Sequence, residues 1–228
     1  MGVAVLIGFS CAGKSWILEP LKEHISNKGF KLPLEVDTDA KITEHDYPDG
    51  GIYSVFLDKS VADNTQPAID YIVQREKEVL SELLDMVTPA IVAAGPLILQ
   101  RQPEWGSFLA KHKPKIFWLH LNPTRTIARL KDRENRYRER PFKGMPASEH
   151  SGFGCWNKDI LNVYDPTEKS WSPMPDEKQI EAATNYMKFF GQNYYNKAAD
   201  VIIDMNLVQA DNSQHNKLLE MLTEALYQ

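Results

Sequence analysis

The sequence predicts an α/β fold, a three-layer α/β/α arrangement around a parallel sheet. Three observations predict it. Apolar runs suited to strands recur at 3–7, 90–94 and 115–121. Segments of helical period lie between them, the alternation that a parallel sheet covered on both faces requires. The first run leads directly into Gly8-Phe9-Ser10-Cys11-Ala12-Gly13-Lys14-Ser15, which fits the phosphate-binding pattern GxxxxGK[ST] in the strand–loop–helix context that the pattern needs.

Taken in order, Val3 to Ile7 is the first strand. Gly8 and Gly13 let the loop turn tightly and present its N–H groups, and the positive end of the next helix faces the same point. Lys14 can reach β- and γ-phosphates, and the Ser15 hydroxyl can ligate Mg²⁺. The helix that opens at Ser15-Trp16-Ile17-Leu18 is expected to run to about Asn27, kinked at Pro20. Pro33 to Val36 reads as a short second strand ending in Asp37-Thr38-Asp39, and 47–66 as mostly loop. From Pro67 to Val87, Ile69, Ile72, Val73, Leu80, Leu83, Leu84 and Val87 recur mostly at steps of three and four, a helix period. Ala90 to Ala94 is a strand followed by Gly95-Pro96, and Lys115 to Leu121 is another, after which Asn122-Pro123 opens an arginine-rich helix. Residues 141–175 are rich in glycine, proline and aromatic residues and read as one long functional or disordered loop. Asp176 to Lys197 is expected to be helical, Asp200 to Ile203 to be the last strand, and Gln214 to Tyr227 to be the closing helix. The whole reads as a single domain, 1–228, carrying an inserted lid segment at about 141–175.

Composition narrows the function. The chain is 43% hydrophobic, enough for an ordinary core, and carries a formal charge of −5, which argues against nonspecific binding to nucleic acid or an anionic membrane. No apolar run is long enough to span a bilayer. Cys11 and Cys155 lack metal-ligand spacing, and a reducing cytoplasm is the expected compartment. The histidines are scattered and suggest no metal site.

Asp37 and Asp39 stand two apart at the end of the second strand. If the strand continues through them, both side chains point the same way, beside the phosphate loop. One could then hold Mg²⁺ through water and the other accept a hydroxyl proton. Helix capping by Asp37, Thr38 or Asp39 is the equal alternative.

With these residues assembled, the chain resembles shikimate kinase and the small P-loop kinases related to it. The likeness runs through GFSCAGKS, the VDTD element, Gln74-Arg75-Glu76-Lys77-Glu78-Val79-Leu80, Ile91-Val92-Ala93-Ala94-Gly95, the strand IFWLHL, the pair Arg140-Pro141, and Tyr195-Asn196-Lys197-Ala198-Ala199-Asp200-Val201. It implies a P-loop NTPase fold with a five-stranded parallel sheet in the order 2-3-1-4-5 and a mobile lid. It implies that Gly8, Gly13, Lys14 and Ser15 hold ATP and Mg²⁺, with Ala12 and Trp16 beside them in the loop. It further implies that Asp37 helps place the metal, that Asp39 meets the acceptor hydroxyl, and that Arg75, with Gly95 close by, binds the acceptor. By spacing, Arg133 would stack on the adenine and Arg140 would close over the phosphates. Two departures stand out. The strand-3 turn reads Gly95-Pro96-Leu97 where the family has three glycines, and Gly191 stands where the family has an arginine.

The resemblance implies an ATP-dependent kinase acting on a hydroxyl of a small, anionic acceptor, shikimate or a related polyol or sugar acid, as a monomer or weak homodimer. A nucleotide-binding switch, or an inactive kinase relic docking a protein partner through its inserted segment, is the alternative. The remaining arginines of the 125–140 stretch read as a salt-bridged helix face. The aromatic residues of the insert, Phe142, Phe153, Trp156, Tyr164 and Trp171, read as anchors for an added subdomain, with part of an acceptor pocket as the alternative.

Overall fold

The computed structural model describes residues 1–47, 55, 58–59, 66–95, 98–139, 162–165 and 170–228, with the backbone alone at 134–139, 162–165 and 170–171. A five-stranded, all-parallel sheet has the order β2-β3-β1-β4-β7. Its strands are β1 (Val3–Ile7), β2 (Leu34–Asp37), β3 (Ala90–Ala93), β4 (Lys115–His120) and β7 (Val201–Asp204). Counting sheet strands alone, this is the expected order. The numbering jumps to β7 because β5 (Asn162–Asp165) and β6 (Ser170–Pro173) form a separate antiparallel hairpin. That hairpin lies inside the 141–175 segment, which therefore contains paired strands and is not wholly loop.

β1 is buried along its whole length because side chains alternate between two covered faces. Val3, Val5 and Ile7 face one core with Val92 and Ile116, and Ala4 and Leu6 face the other with Ile91, Phe117 and Leu119. The first core is closed by α3 (Gln66–Leu83), α4 (Glu104–His112) and α6 (Asp176–Phe190). The second is closed by α1 (Leu18–Asn27), the short α7 (Met205–Val208) and α8 (Asn212–Tyr227). A third small cluster, Phe9, Ile127, Leu130 and Ala183, seats the phosphate loop against α5 (Pro123–Glu139) and α6.

Three local expectations change. Pro20 falls in the first turn of α1, where its missing N–H has no partner to lose, so it starts the helix and does not kink it. α3 stops at Leu83, where the N–H groups of Leu84, Asp85 and Met86 each bond back three residues, and Val87 lies out in solvent. The helix after Pro175 widens into a π turn at Gly191–Tyr195 before a last α turn at Asn196–Ala198. The second strand ends at Asp37, and the chain turns at once into α2 (Thr38–Thr43). Most of the expected 47–66 loop, Arg140, and most of the insert lie outside the described residues.

Candidate active site

The phosphate loop bridges β1 and α1 at the carboxyl edge of the sheet. Gly8 has φ +148°, and a Cβ there would stand 2.5 Å from the Leu119 carbonyl oxygen, so no other residue fits. Gly13 has φ +103°, again a glycine conformation. The loop's own main-chain bonds are few, Ala12 N–H to the Phe9 carbonyl and Ile17 N–H to the Gly13 carbonyl. Among the described residues this leaves the N–H groups of Gly13, Lys14, Ser15 and Trp16 unpaired at the start of a helix, an arrangement suited to an anion. Lys14 Nζ lies over the same loop and donates to the carbonyls of Gly8 (2.9 Å) and Phe9 (3.3 Å). Burial holds its pKa below the ordinary lysine value, against the opposing pull of Asp39 and Asp37.

Asp37 reconciles the two readings of the acidic pair. Its Oδ1 caps α2, accepting the N–H groups of Asp39 (3.0 Å) and Ala40 (3.4 Å), while its Oδ2 accepts the Ser15 hydroxyl at 2.8 Å. The strand does not continue through Asp39, which instead occupies the first turn of α2. Both carboxylates nevertheless line one cavity of about 570 Å³ together with the loop from Ser10 to Trp16. Asp39 is pushed above the usual carboxylate range by burial and by Asp37, with Lys14 and Arg133 opposing. Gly95 packs directly against it: a Cβ at that position would stand 2.5 Å from Asp39 Oδ1, and the Gly95 N–H donates to Thr38 Oγ1 at 2.7 Å.

The arginines distribute in a way that spacing did not reveal. Arg133 lines the cavity and lies near enough to Lys14 and Asp39 for its charge to act on both. Arg129, one helical turn earlier, donates to the Cys11 carbonyl at 2.7 Å and to the side-chain oxygen of Gln209. Neither Arg129 nor Gln209 was singled out from the sequence; the four-residue step from Arg129 to Arg133 was the available signal. Arg75 is not brought to Asp39. Its guanidinium bonds Glu78 and reaches the Ile42 carbonyl at 3.5 Å. The neighbouring residue Glu76 is buried instead and pairs with Arg101. Trp16 lines the cavity, 47% exposed, with its ring 5.3 Å from that of His215.

No group of three or more metal-ligating side chains occurs among the described residues. The Ser15 hydroxyl and Asp37 carboxylate are hard oxygen donors beside a phosphate-type loop, and this set fits Mg²⁺, which binds few protein ligands and keeps waters and phosphate oxygens. No helix among the described residues is long and apolar enough to cross a membrane.

No protein-family model and no curated protein sequence matches the chain. Solved structures do. Shikimate kinase from Acinetobacter baumannii in complex with shikimate is 18% identical, with 99% of this chain and 96% of that one covered at a TM-score of 0.57. Shikimate kinase from Bacteroides thetaiotaomicron is 14% identical, with 100% and 99% covered at 0.53. The chain has the shikimate kinase fold. In a parallel α/β sheet of this kind ligands gather beyond the carboxyl ends of the strands. In this instance of the shikimate kinase fold that edge is where Gly8 to Ser15, Asp37, Asp39 and Gly95 meet.

Proposed function

We propose that this protein is a small-molecule kinase that transfers the γ-phosphoryl group of ATP to a hydroxyl of a small anionic acceptor, shikimate or a related polyol or sugar acid. One observation carries the reading. The Ser15–Asp37 hydrogen bond ties the phosphate loop to the end of β2, which puts Asp39 on the same cavity as Lys14.

In this reading the amides from Gly13 to Trp16 and the ammonium of Lys14 cradle the β- and γ-phosphates. Ser15 and Asp37 would hold Mg²⁺, which would supply charge neutralisation for the phosphates. Arg129 and Gln209 border the nucleotide end. Asp39 accepts the proton of the acceptor hydroxyl as the new O–P bond forms and the bond to the ADP oxygen breaks. A carboxylate with a raised pKa is a better base for a hydroxyl than an ordinary one. Arg133 faces the transferring group and offsets charge there, and Arg140 would close from the lid side. The work is positioning and electrostatics, which is most of what phosphoryl transfer asks of a protein.

The test is acceptor-dependent ADP release over a panel of hydroxylated acids and neutral polyols. Shikimate heads the panel because the neighbour from Acinetobacter baumannii was solved with it. Turnover that requires one of these acceptors and disappears in Lys14→Ala supports the reading. Tight ATP binding with no acceptor turning over replaces it with a nucleotide-binding relic.

A further inference from the structure

Among the described residues lining the phosphate-loop cavity, Trp16 carries the one aromatic ring. Its N–H belongs to the unpaired amides of the cradle, and its indole forms part of the cavity wall. The residue is nearly half exposed, an unfavourable place for a ring of this size unless a ligand covers it. The support behind the ring is specific. The His215 imidazole, in the first turn of α8, lies 5.3 Å away and inclined by 31°. Its Nε2 is buried and bonds no protein group, so the imidazole acts here as a packing surface. α8 is itself fixed: Asp211 caps it through the Ser213 N–H at 2.7 Å, and Leu218, Leu219 and Leu222 bury its inner face in the second core. One face of the indole is held against this helix, and the other is left for the cavity.

Topology says which end of the cavity this is. Asp37 and Asp39 follow β2, at one edge of the sheet, whereas Gln209 and His215 follow β7, at the opposite edge. Gln209 Nε2 lies 3.8 Å from where a Gly13 Cβ would stand, so this stretch of chain borders the loop directly. Trp16 is therefore backed from the side away from the candidate base. With a triphosphate seated on the amides, the rest of a nucleotide would lie at this end, and a flat base needs a wall there. The cations do not supply one. Arg129 is engaged by the Cys11 carbonyl and Gln209. Arg133, which spacing would put on the adenine, acts on Lys14 and Asp39. The open indole face remains.

We propose that Trp16 is the base platform of this site, the nucleobase of the phosphoryl donor stacking on the indole face opposite His215, an assignment that rests on the kinase reading above. Stacking responds to the size and polarisability of a ring and not to its hydrogen-bonding edge. This face therefore favours purine over pyrimidine donors and holds adenine and guanine alike. His215 is a positioning residue behind it.

The experiment measures binding by calorimetry, with Mg²⁺ present, for non-hydrolysable analogues of ATP, GTP and CTP and for inorganic tripolyphosphate. Wild type, Trp16→Phe and Trp16→Ala are compared, with a melting temperature on each. Wild type should bind the two purine analogues alike and the CTP analogue more weakly. Trp16→Ala should lose about 10-fold for the purines, the scale of one base–aromatic stack, so that the gap to CTP closes while tripolyphosphate affinity stays unchanged. Trp16→Phe should keep most of the purine affinity. Purine binding should also quench part of the tryptophan emission in wild type, and that part should be missing in Trp16→Phe. Unchanged purine affinity in Trp16→Ala overturns the proposal and leaves the kinase reading standing. An equal loss for tripolyphosphate also overturns it, because Trp16 would then serve the helix start and not the base. A wild type that binds neither the nucleotide analogues nor tripolyphosphate removes both readings.

Discussion

Replacing Gly95 with alanine tests the placement of Asp39 more sharply than deleting the carboxylate does. The new methyl would stand 2.5 Å from Asp39 Oδ1 and 3.4 Å from Thr38 Oγ1. Carbon and oxygen settle near 3.3–3.6 Å, so Oδ1 has to retreat by roughly 1 Å. The group that moves is the end of a flexible side chain, and the φ of Gly95 is one that alanine adopts. Unfolding free energy should fall by about 1 kcal/mol, at the low end for overpacking. Turnover should fall far more, because a misplacement of about 1 Å in a reacting group costs on the order of 100-fold, or about 2.7 kcal/mol of barrier. The assay is acceptor-dependent ADP release, run beside a urea titration and ATP-analogue affinity, which should not change. In an Asp39→Asn background the same alanine should cost nothing further, since the displaced base is already gone; this non-additivity separates displacement of Asp39 from general damage. Wild-type turnover in Gly95→Ala, or a second 100-fold loss in the Asn background, would refute the reasoning.

Lys14→Ala should weaken ATP-analogue binding by about 100-fold, the worth of one or two charge-assisted hydrogen bonds, as read by calorimetry. Asp39→Asn should keep that affinity and lose phosphoryl transfer. The wild-type rate should fall off with acid at a pH above the usual carboxylate range, because the raised pKa means the base is protonated earlier as pH drops. The Glu76 carboxyl is pushed from 4.5 to about 7, burial being the main cause. The folded state therefore keeps a proton that the unfolded state has released, so this group's contribution favours folding below pH 4.5 and is lost as pH rises through about 7. Subtracting the Glu76→Gln stability curve from the wild-type curve should show that fall, on the order of 3 kcal/mol. Leu130→Ala empties a site that is 0% exposed beneath the phosphate loop, and should cost about 2–5 kcal/mol by urea unfolding.

What the sequence disclosed divides by the range of the interactions involved. The loop from Gly8 to Ser15 was legible because each residue acts within its own eight-residue neighbourhood, through φ angles, amides and the start of a helix. The central strands β1 and β3 were legible because burial on both faces leaves uninterrupted apolar runs, whereas the half-exposed edge strands β2 and β7 give shorter signals. Asp37 was half legible: as a cap it is local, and as the partner of Ser15 it spans 22 residues. The strand ends there because an aspartate that captures two amides starts α2 more effectively than it extends an edge strand. The acceptor side was the least legible. Glu76 went unread although it sits on the same face as Ile72, Val79 and Leu80, and its partner lies 25 residues away in the chain. Arg75 drew attention by its sequence neighbours, and helix geometry turned it to Glu78.

The same division explains why the two ends of the site diverge. The phosphate cradle is made of main-chain amides and backbone-fixed glycines, and a triphosphate presents the same groups whatever the second substrate is. The acceptor wall is made of side chains, which can be exchanged singly. At position 191, where the family resemblance places an arginine, any Cβ would stand 3.2 Å from the Trp118 ring. Any side chain at 191 would require the Trp118 ring to give by a few tenths of an ångström, so the glycine lets the indole pack closely there. Binding of ATP should therefore follow the ordinary phosphate-loop pattern, while acceptor selectivity should respond to single side-chain exchanges around Asp39.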